Sequence, residues 1–317
     1  MTKSKYTEKD IIALFSQKAT ESHFANDAAT IKHHDTAITV SQDTLNEGIH
    51  FDSTFCGPAD IAHRAFCANV SDMAAMGLSG THLVQSLSLP PNTSLAWLET
   101  YAQTLKTLCQ KNHITLIGGD TCSANVLSIT LTILHIGPPA HNLSRHGIQP
   151  HDCIFITKPI GNSQLGLTAL QTNTNVDDYF IRAYLQPQHD VLIGQALSAA
   201  HTSVVCMDIS DGLVQDLQRL CDLNQVNAFI DIDTIPEHPL FAETCQRLSL
   251  QAASTKITGG EDYALLIIGP ADLPKTINTT LYPIGKINGV SDTPTIGWVH
   301  QGKPFKPNDT GFNHFGA

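Results

Sequence analysis

Residues 117–137 read IGGDTCSANVLSITLTILHIG, and their pattern decides how the first half of this chain is read. Leu127, Ile129, Leu131 and Ile133 alternate with Ser128, Thr130 and Thr132, which predicts a half-buried strand. The preceding ITLI predicts a second, short strand, and Gly118, Gly119 and Asp120 lie between the two. No Lys or Arg occurs from Asn112 to Ser144 to neutralise Asp120. A strand-turn-strand passage carrying a bare carboxylate at its bend calls for a reason.

The same alternation of elements extends in both directions. Upstream, a helix is expected over 7–18, TAITVS (36–41) predicts a strand, and QDTLNEGIHF after it a loop. Pro58 opens a long helical pattern that stops at Gly77. THLVQSLSL (81–89) predicts a strand and 95–111 an amphipathic helix. Beyond Pro138 and Pro139 the pattern starts afresh, with strands over 153–157, 203–208 and 228–232 and helices over 163–171, 190–200 and 211–223. ITGGEDYALLIIG (257–269) is a glycine turn feeding a strand. Mixed runs of this kind predict an α/β (mixed α+β) protein of two domains, 1–140 and 141–317, divided within the 138–150 stretch.

A chain of 317 residues with 42% hydrophobic content can give each domain a core. Charged residues make up only 15%, with a net charge of -11, which argues against a nucleic-acid surface built from clustered Lys and Arg. The eight cysteines form no C-x-x-C pair and sit mostly in apolar runs, as reduced, buried residues of a cytoplasmic protein do. No signal peptide and no membrane span is expected.

Asp120 is one of several acids without bases. From His33 to Leu105 the only Lys or Arg is Arg64, against Asp35, Asp43, Glu47, Asp52, Asp60, Asp72 and Glu99. A second gap, from Ala183 to Gln218, holds Asp190, Asp208, Asp211 and Asp216. Asp72 shares a helical stripe with Ile61, Ala65 and Ala68, so it is expected to face the interior or a pocket. An unpaired carboxylate there requires a hydrogen-bonding partner, a proton or a metal. Any one of these acids alone reads equally well as a turn residue or cap. Converging, five or six of them would repel without cations, and an all-oxygen site suits Mg²⁺. The histidines form no H-E-x-x-H, and G-x-S-x-G, G-x-x-x-x-G-K-[ST] and G-x-G-x-x-G are all absent.

Six motifs in order, NDAA (26–29), SQDTLNEGIHF (41–51), NVSDMAAMG (69–77), IGGDT (117–121), DISDGLVQDL (208–217) and GGEDYALL (259–266), resemble the thiamine-monophosphate kinase family. The likeness runs from about residue 24 to Phe315 and includes GFNHF near the C-terminus. It implies the two-domain fold shared with aminoimidazole ribonucleotide synthetase and selenophosphate synthetase, with the N-terminal sheet pairing across a homodimer. It also implies transfer of the ATP γ-phosphoryl group to thiamine monophosphate, with several Mg²⁺ ions and ATP as co-substrate. By resemblance Asp27, Asp43, Asp72, Asp120, Asp208 and Asp211 are the magnesium carboxylates, with Ser41 and Gln42 beside them. Asp43, Asp72, Asp120 and Asp211 are the catalytic set among them. Gly119, Asp120, Arg145 and Ser210 match ATP contacts, and His50, Glu261 and Phe312 match contacts to thiamine monophosphate.

Physical reading of these positions expects Ser210 to be the N-cap of the 211–223 helix, aiming its amides at phosphate. It expects Arg145 to clamp phosphate and Phe312 to be an aromatic platform. The chain departs from the family pattern at Asn26, Gln42, Asn162 and Ala264. Two other readings stay open: a sister ATP-dependent activity of the same superfamily, and a non-catalytic paralogue that binds thiamine phosphates or nucleotide.

Overall fold

The first half of the chain lays one sheet against one long helix. In the computed structural model its elements are β1 (Ala29–His33), β2 (Thr36–Asn46), α1 (Pro58–Ala75), β3 (His82–Leu89), α2 (Leu95–Lys111), β4 (Thr115–Ser123) and β5 (Ser128–Gly137). The strands are ordered β1-β2-β5-β3-β4, and only the β3 and β4 pair is parallel. The structure describes residues 26–138, 142–200, 203–309 and 311–312, together with Leu14 and Phe15. The helix expected over 7–18 otherwise falls outside the described residues.

The alternation at 127–133 sets this sheet. Ile129, Leu131 and Ile133 are fully buried toward α1, while the residues between them stay partly exposed. β2 runs to Asn46, past the expected end at Ser41, because it pairs with β5 in register from Ala37 opposite Gly137 to Asn46 opposite Ser128. The polar residues of QDTLN mask a strand whose backbone the ladder satisfies. β1 was not foreseen from the sequence; its short polar ATIKH shows too little alternation.

α1 is the centre of the molecule. Gly57 caps it, with its amide donating to Asp60 Oδ2 at 3.1 Å, Pro58 opens it, and Gly77 with φ 75° ends it. Thirteen of its 18 residues are buried, so the helix is enclosed on nearly every side rather than amphipathic. One side meets β2 and β5, the other the second half of the chain.

That second half contains β6 (Cys153–Ile156), α3 (Asn162–Thr172), α4 (Asp178–Leu185), α5 (Val191–Ala199), β7 (Val205–Ile209), α6 (Leu213–Asn224) and β8 (Val226–Asp231). It continues with α7 (Phe241–Arg247), α8 (Ala252–Thr258), β9 (Ala264–Gly269), α9 (Leu273–Thr276), β10 (Tyr282–Val290), β11 (Ile296–His300) and β12 (Lys303–Phe305). The seven strands are ordered β12-β11-β8-β10-β6-β9-β7. β9 is buried at all six residues, which explains its unbroken apolar run. α5 crosses α1 so closely that a Cβ on Gly194 would lie 2.1 Å from the Ala74 carbonyl oxygen. The fold is thus a mixed α+β arrangement of two sheets with helices. All eight cysteines are unpaired, and among the described residues no helix is long and apolar enough to cross a membrane.

β4 is the free edge of the first sheet. All nine of its residues are exposed, Ile117 at 56%. Gly119 passes so close to β3 that a Cβ there would lie 1.9 Å from the Gln85 carbonyl oxygen, so the second glycine is fixed by strand packing.

Candidate active site

The side-chain alternation of β2 turns Ser41 and Asp43 toward α1 and Gln42 away. Asp43 receives its backbone contact from that helix, its amide donating to Asn69 Oδ1 at 3.3 Å. Ser41 Oγ donates to Asp72 Oδ2 and lies 3.2 Å from the Asp27 carbonyl oxygen. Gln42 takes the Thr132 hydroxyl on the far face at 2.9 Å. Asp208, near the end of β7, accepts from Ser71 Oγ at 2.8 Å. One carboxylate oxygen from each of Asp27, Asp72 and Asp208 consequently lies within 4.8 Å of the others.

Asp43 joins them beside the Asp72 carboxyl. Burial pushes Asp43 up to about 6, helped by the charge of Asp27. Burial, then the charges of Asp43, Asp208 and Asp27, drives Asp72 well above the usual carboxylate range, and burial does the same to Asp208. Arg145 meets Asp27 with both arms of its fork, Nε to Oδ2 at 3.0 Å and Nη2 to Oδ1. Among the described residues no Lys or Arg pairs with Asp43, Asp72 or Asp208. Two full charges 4.8 Å apart repel by roughly 3 kcal/mol at an effective dielectric of about 20. Hard oxygen donors under that strain fit a divalent cation such as Mg²⁺, which would displace the retained protons.

The cluster opens on a cavity of about 1160 Å³ between the two halves. Its second wall is the loop after β7, and here the expected cap is corrected. α6 starts at Leu213, and Gly212, φ 106°, is its N-cap rather than Ser210. The amides of Ser210 and Asp211 both donate at 3.1 Å to Asp216 Oδ2. An acid in the first turn, fully buried, has folded back onto the loop that precedes the helix, so these two amides are already satisfied by protein. Burial, then the nearby Asp211 charge, pushes Asp216 up to about 7. Arg219 Nη1 bridges Asp211 Oδ2 at 2.7 Å and Asp216 Oδ1 at 3.0 Å. A Cβ on Gly212 would lie 2.6 Å from the Thr258 carbonyl oxygen, so no side chain fits.

The third wall is GGED. Glu261 donates its amide to the Ser210 carbonyl at 2.8 Å, and both Glu261 and Tyr263 hold left-handed backbone, φ 62° and 51°. Such conformations persist only when the surroundings over-determine them. Asp262 supplies part of that, accepting from the Gly161 and Ser163 amides at 2.5 and 3.0 Å to cap α3. Across the cavity, Phe312 lies 6.5 Å from the His50 ring and donates its amide to the Asp211 carbonyl at 3.2 Å. The Asn46 amide donates to His50 Nδ1 at 3.0 Å, which puts the ring proton on Nε2.

Residues 25–137 match the family described as AIR synthase related protein, N-terminal domain. Thiamine-monophosphate kinase of Haemophilus influenzae is 32% identical over 291 residues, which span 88% of this chain and 86% of the relative. The enzyme of the same name from Escherichia coli K12 is 33% identical over 290 residues, with the same shares. The chain belongs to the thiamine-monophosphate kinase family. The crystal structure of the family member from Stenotrophomonas maltophilia K279a superposes with a TM-score of 0.74 at 27% identity, over 96% of this chain and 98% of that one. AaThiL complexed with AMPPCP and TMP gives a TM-score of 0.85 at 23% identity, over 97% of both chains, a likeness of fold. The HypE-HypF complex shares the fold at a TM-score of 0.73 and 16% identity, over 95% of this chain and 99% of that one.

Set against the family pattern, Asp27, Ser41, Gln42, Asp43, Asp72, Asp208 and Asp211 all border the one cavity. So do Arg145, Ser210, His50, Glu261 and Phe312. Gly119 and Asp120 do not; within one chain they lie on exposed β4, beside a separate shallow depression with Gln85. Of the departures, Asn26 borders the cavity, its Oδ1 accepting the Arg145 amide at 2.9 Å, a task a carboxylate would do equally. Asn162 and Ala264 are buried and do not border it. Three contributors went unread in the sequence: Asp216, Arg219 and Ser71. Asp216 had a signal, since it lies in the base-poor span and one turn into a helix.

Proposed function

We propose that this chain transfers the γ-phosphoryl group of ATP to thiamine monophosphate, giving thiamine diphosphate and ADP. The observation that carries this reading is the meeting of Asp27, Asp72 and Asp208 within 4.8 Å at the mouth of a cavity large enough for two phosphate-bearing molecules. Membership of the thiamine-monophosphate kinase family supplies the acceptor.

The acceptor phosphate carries close to two negative charges at neutral pH, so its oxygen is already a nucleophile and no general base is required. The chain's task is to bring two polyanions into line and to offset their repulsion. Asp27, Asp43, Asp72, Asp208 and Asp211, with Ser41 and the main chain of Gln42, are the groups that would hold Mg²⁺. Once bound, the ions supply charge neutralisation between donor and acceptor. Arg145, already beside Asp27, is placed to hold a phosphate of ATP, and Ser210 lies across from it on the second wall. His50, Glu261 and Phe312 form the end of the cavity that receives the thiamine moiety.

We assign ATP and metal binding, with dimer formation, to residues 1–140 and completion of the substrate site to 141–317. The dimer forms through β4, an exposed nine-residue edge whose unpaired backbone is a template for a second copy. Asp120 and Gly119 then lie at the interface between copies, where Asp120 serves as a metal carboxylate and Gly119 as an ATP contact. We place the protein in the cytoplasm, where ATP and reduced cysteines coexist.

Incubation with ATP, Mg²⁺ and thiamine monophosphate, followed by mass spectrometry, tests the reading. Thiamine diphosphate and ADP are expected in equal amounts. ADP release that does not depend on the acceptor would point to a sister activity, and binding without any product to a non-catalytic paralogue.

A further inference from the structure

The base-poor span of the sequence contains one cation, Arg64, and the fold buries it completely. It does not border the cavity, yet it touches what does. Nη2 donates to the His50 carbonyl at 2.7 Å and to Glu261 Oε1 at 2.6 Å, and Nη1 donates to the Tyr184 carbonyl at 2.7 Å. The guanidinium carbon sits 3.9 Å over the Tyr184 ring. Three segments distant in sequence, the loop after β2, the end of α4 and the GGED turn, are thus tied to one planar group. Among the described residues nothing holds Glu261 Oε2, while the rest of that carboxylate is fixed from behind.

This arrangement is poorly explained by stability. Taking a guanidinium out of water is expensive, its Nε finds no partner among the described residues, and well-packed apolar residues often serve a core better. What an apolar side chain or an ammonium does not provide is the flat fork that fixes several acceptors in one plane. Both acceptors at Nη2 belong to residues assigned above to the thiamine end of the cavity, and Glu261 stands in strained backbone that needs such a restraint.

We propose that Arg64 is the positioning residue of the acceptor subsite. It orients the Glu261 carboxylate and the His50 segment toward the cationic thiazolium ring from behind the cavity wall, and it takes no part in nucleotide binding. This rests on the function proposed above.

The experiment compares wild type, Arg64→Lys, Glu261→Gln and the double variant. The readouts are KM for thiamine monophosphate, KM for ATP, calorimetric affinity for thiamine monophosphate, and melting temperature. Arg64→Lys should raise the acceptor KM about tenfold or more and leave the ATP KM within about twofold. Because Arg64 acts in part through Glu261, the loss in the double variant should fall well short of the product of the two single losses. Equal changes in both KM values, an acceptor KM within twofold of wild type, or multiplying effects in the double variant would overturn the proposal. If Arg64→Lys does not fold, Arg64→Met with Glu261→Gln removes both charges, and its acceptor KM should exceed that of Glu261→Gln only by the share owed to the His50 contact, about threefold at most. Failure of both to fold assigns Arg64 to the fold alone and overturns it too. A wild type that makes no thiamine diphosphate overturns the function instead, and the calorimetric affinities then decide on Arg64 separately.

Discussion

Ser71 on α1 donates to Asp208 on β7 at 2.8 Å, so the two halves of the molecule meet at a carboxylate. A helix from the first half and a strand from the second therefore fix the distance between Asp72 and Asp208. Among the described residues no base forms an ion pair with either acid, and both are held where burial opposes their charge. The site is thus assembled against its own electrostatics, as expected where function rather than stability selects the residues.

Replacing one of these acids by its amide should separate the two demands. Asp72→Asn is expected to lower kcat at least about 100-fold while raising the melting temperature of the metal-free protein by a few degrees, since the cost of burying a carboxyl among other acids is removed. Steady-state kinetics and thermal unfolding on the same preparation check this. Near-normal turnover would dissolve the cluster as a catalytic unit.

The pH dependence of stability follows from the direction of the shifts. Folding raises Asp43 from 3.8 to about 6 and Asp216 from 3.8 to about 7. A raised carboxyl contributes stability that is fully present below its unfolded value and is lost as pH rises through its folded one. Metal-free protein should therefore lose melting temperature between about pH 4 and pH 7 through these two groups and level off above that. Saturating Mg²⁺ should flatten the slope belonging to Asp43, and calorimetry should record proton release on binding that grows toward pH 6. A melting temperature that climbs steadily over this interval would contradict the assignment.

Gly311 tests the C-terminal segment. Its φ is 107°, and a Cβ there would lie 2.3 Å from the Asp211 carbonyl oxygen. Gly311→Ala should shift the segment off the loop after β7 and carry Phe312 away from His50. The expected result is an acceptor KM raised about tenfold, with the melting temperature within about two degrees because few buried contacts are lost. An unchanged KM would remove Phe312 from the acceptor subsite.

The edge strand can be challenged directly. Ile117 on β4 is 56% exposed, and Ile117→Lys places a charge on a strand proposed to pair with a second copy. Light scattering should show a dimer converted to a monomer, and turnover should fall with it if Asp120 works only at that interface. A variant that stays dimeric would move the interface elsewhere.

The legible parts of the sequence were those where period and chemistry agreed. Asp72 was readable because a helix stripe of Ile61, Ala65 and Ala68 pointed it inward, and Ala68 and Asp72 do border the cavity. The β5 strand was readable because its alternation is clean. The continuation of β2 beyond Ser41 was not, since functional polar residues occupy the inward positions that apolar ones would mark. The cap of α6 differs from the expectation because Ser210 is a good capping residue by type, while a buried acid, Asp216, ties the Ser210 and Asp211 amides into the loop and the helix starts only after Gly212. Within one copy Asp120 lies on an edge strand apart from the cavity, and one chain's sequence does not distinguish an edge strand from an inner one. Arg64 was visible as a lone base, but its three acceptors, at positions 50, 184 and 261, come together only in the fold.

The contact of Gly194 with Ala74 bears on how the protein moves. At Gly194 and Ala74, where α5 crosses α1, main chain meets main chain with no side chain between these two residues to act as a bearing. Sliding one half past the other, or swinging it like a jaw, would break that seam before it widened the groove. Substrates accordingly meet a gap of preset width, and any gating falls to the thin outer segments such as the one carrying Phe312.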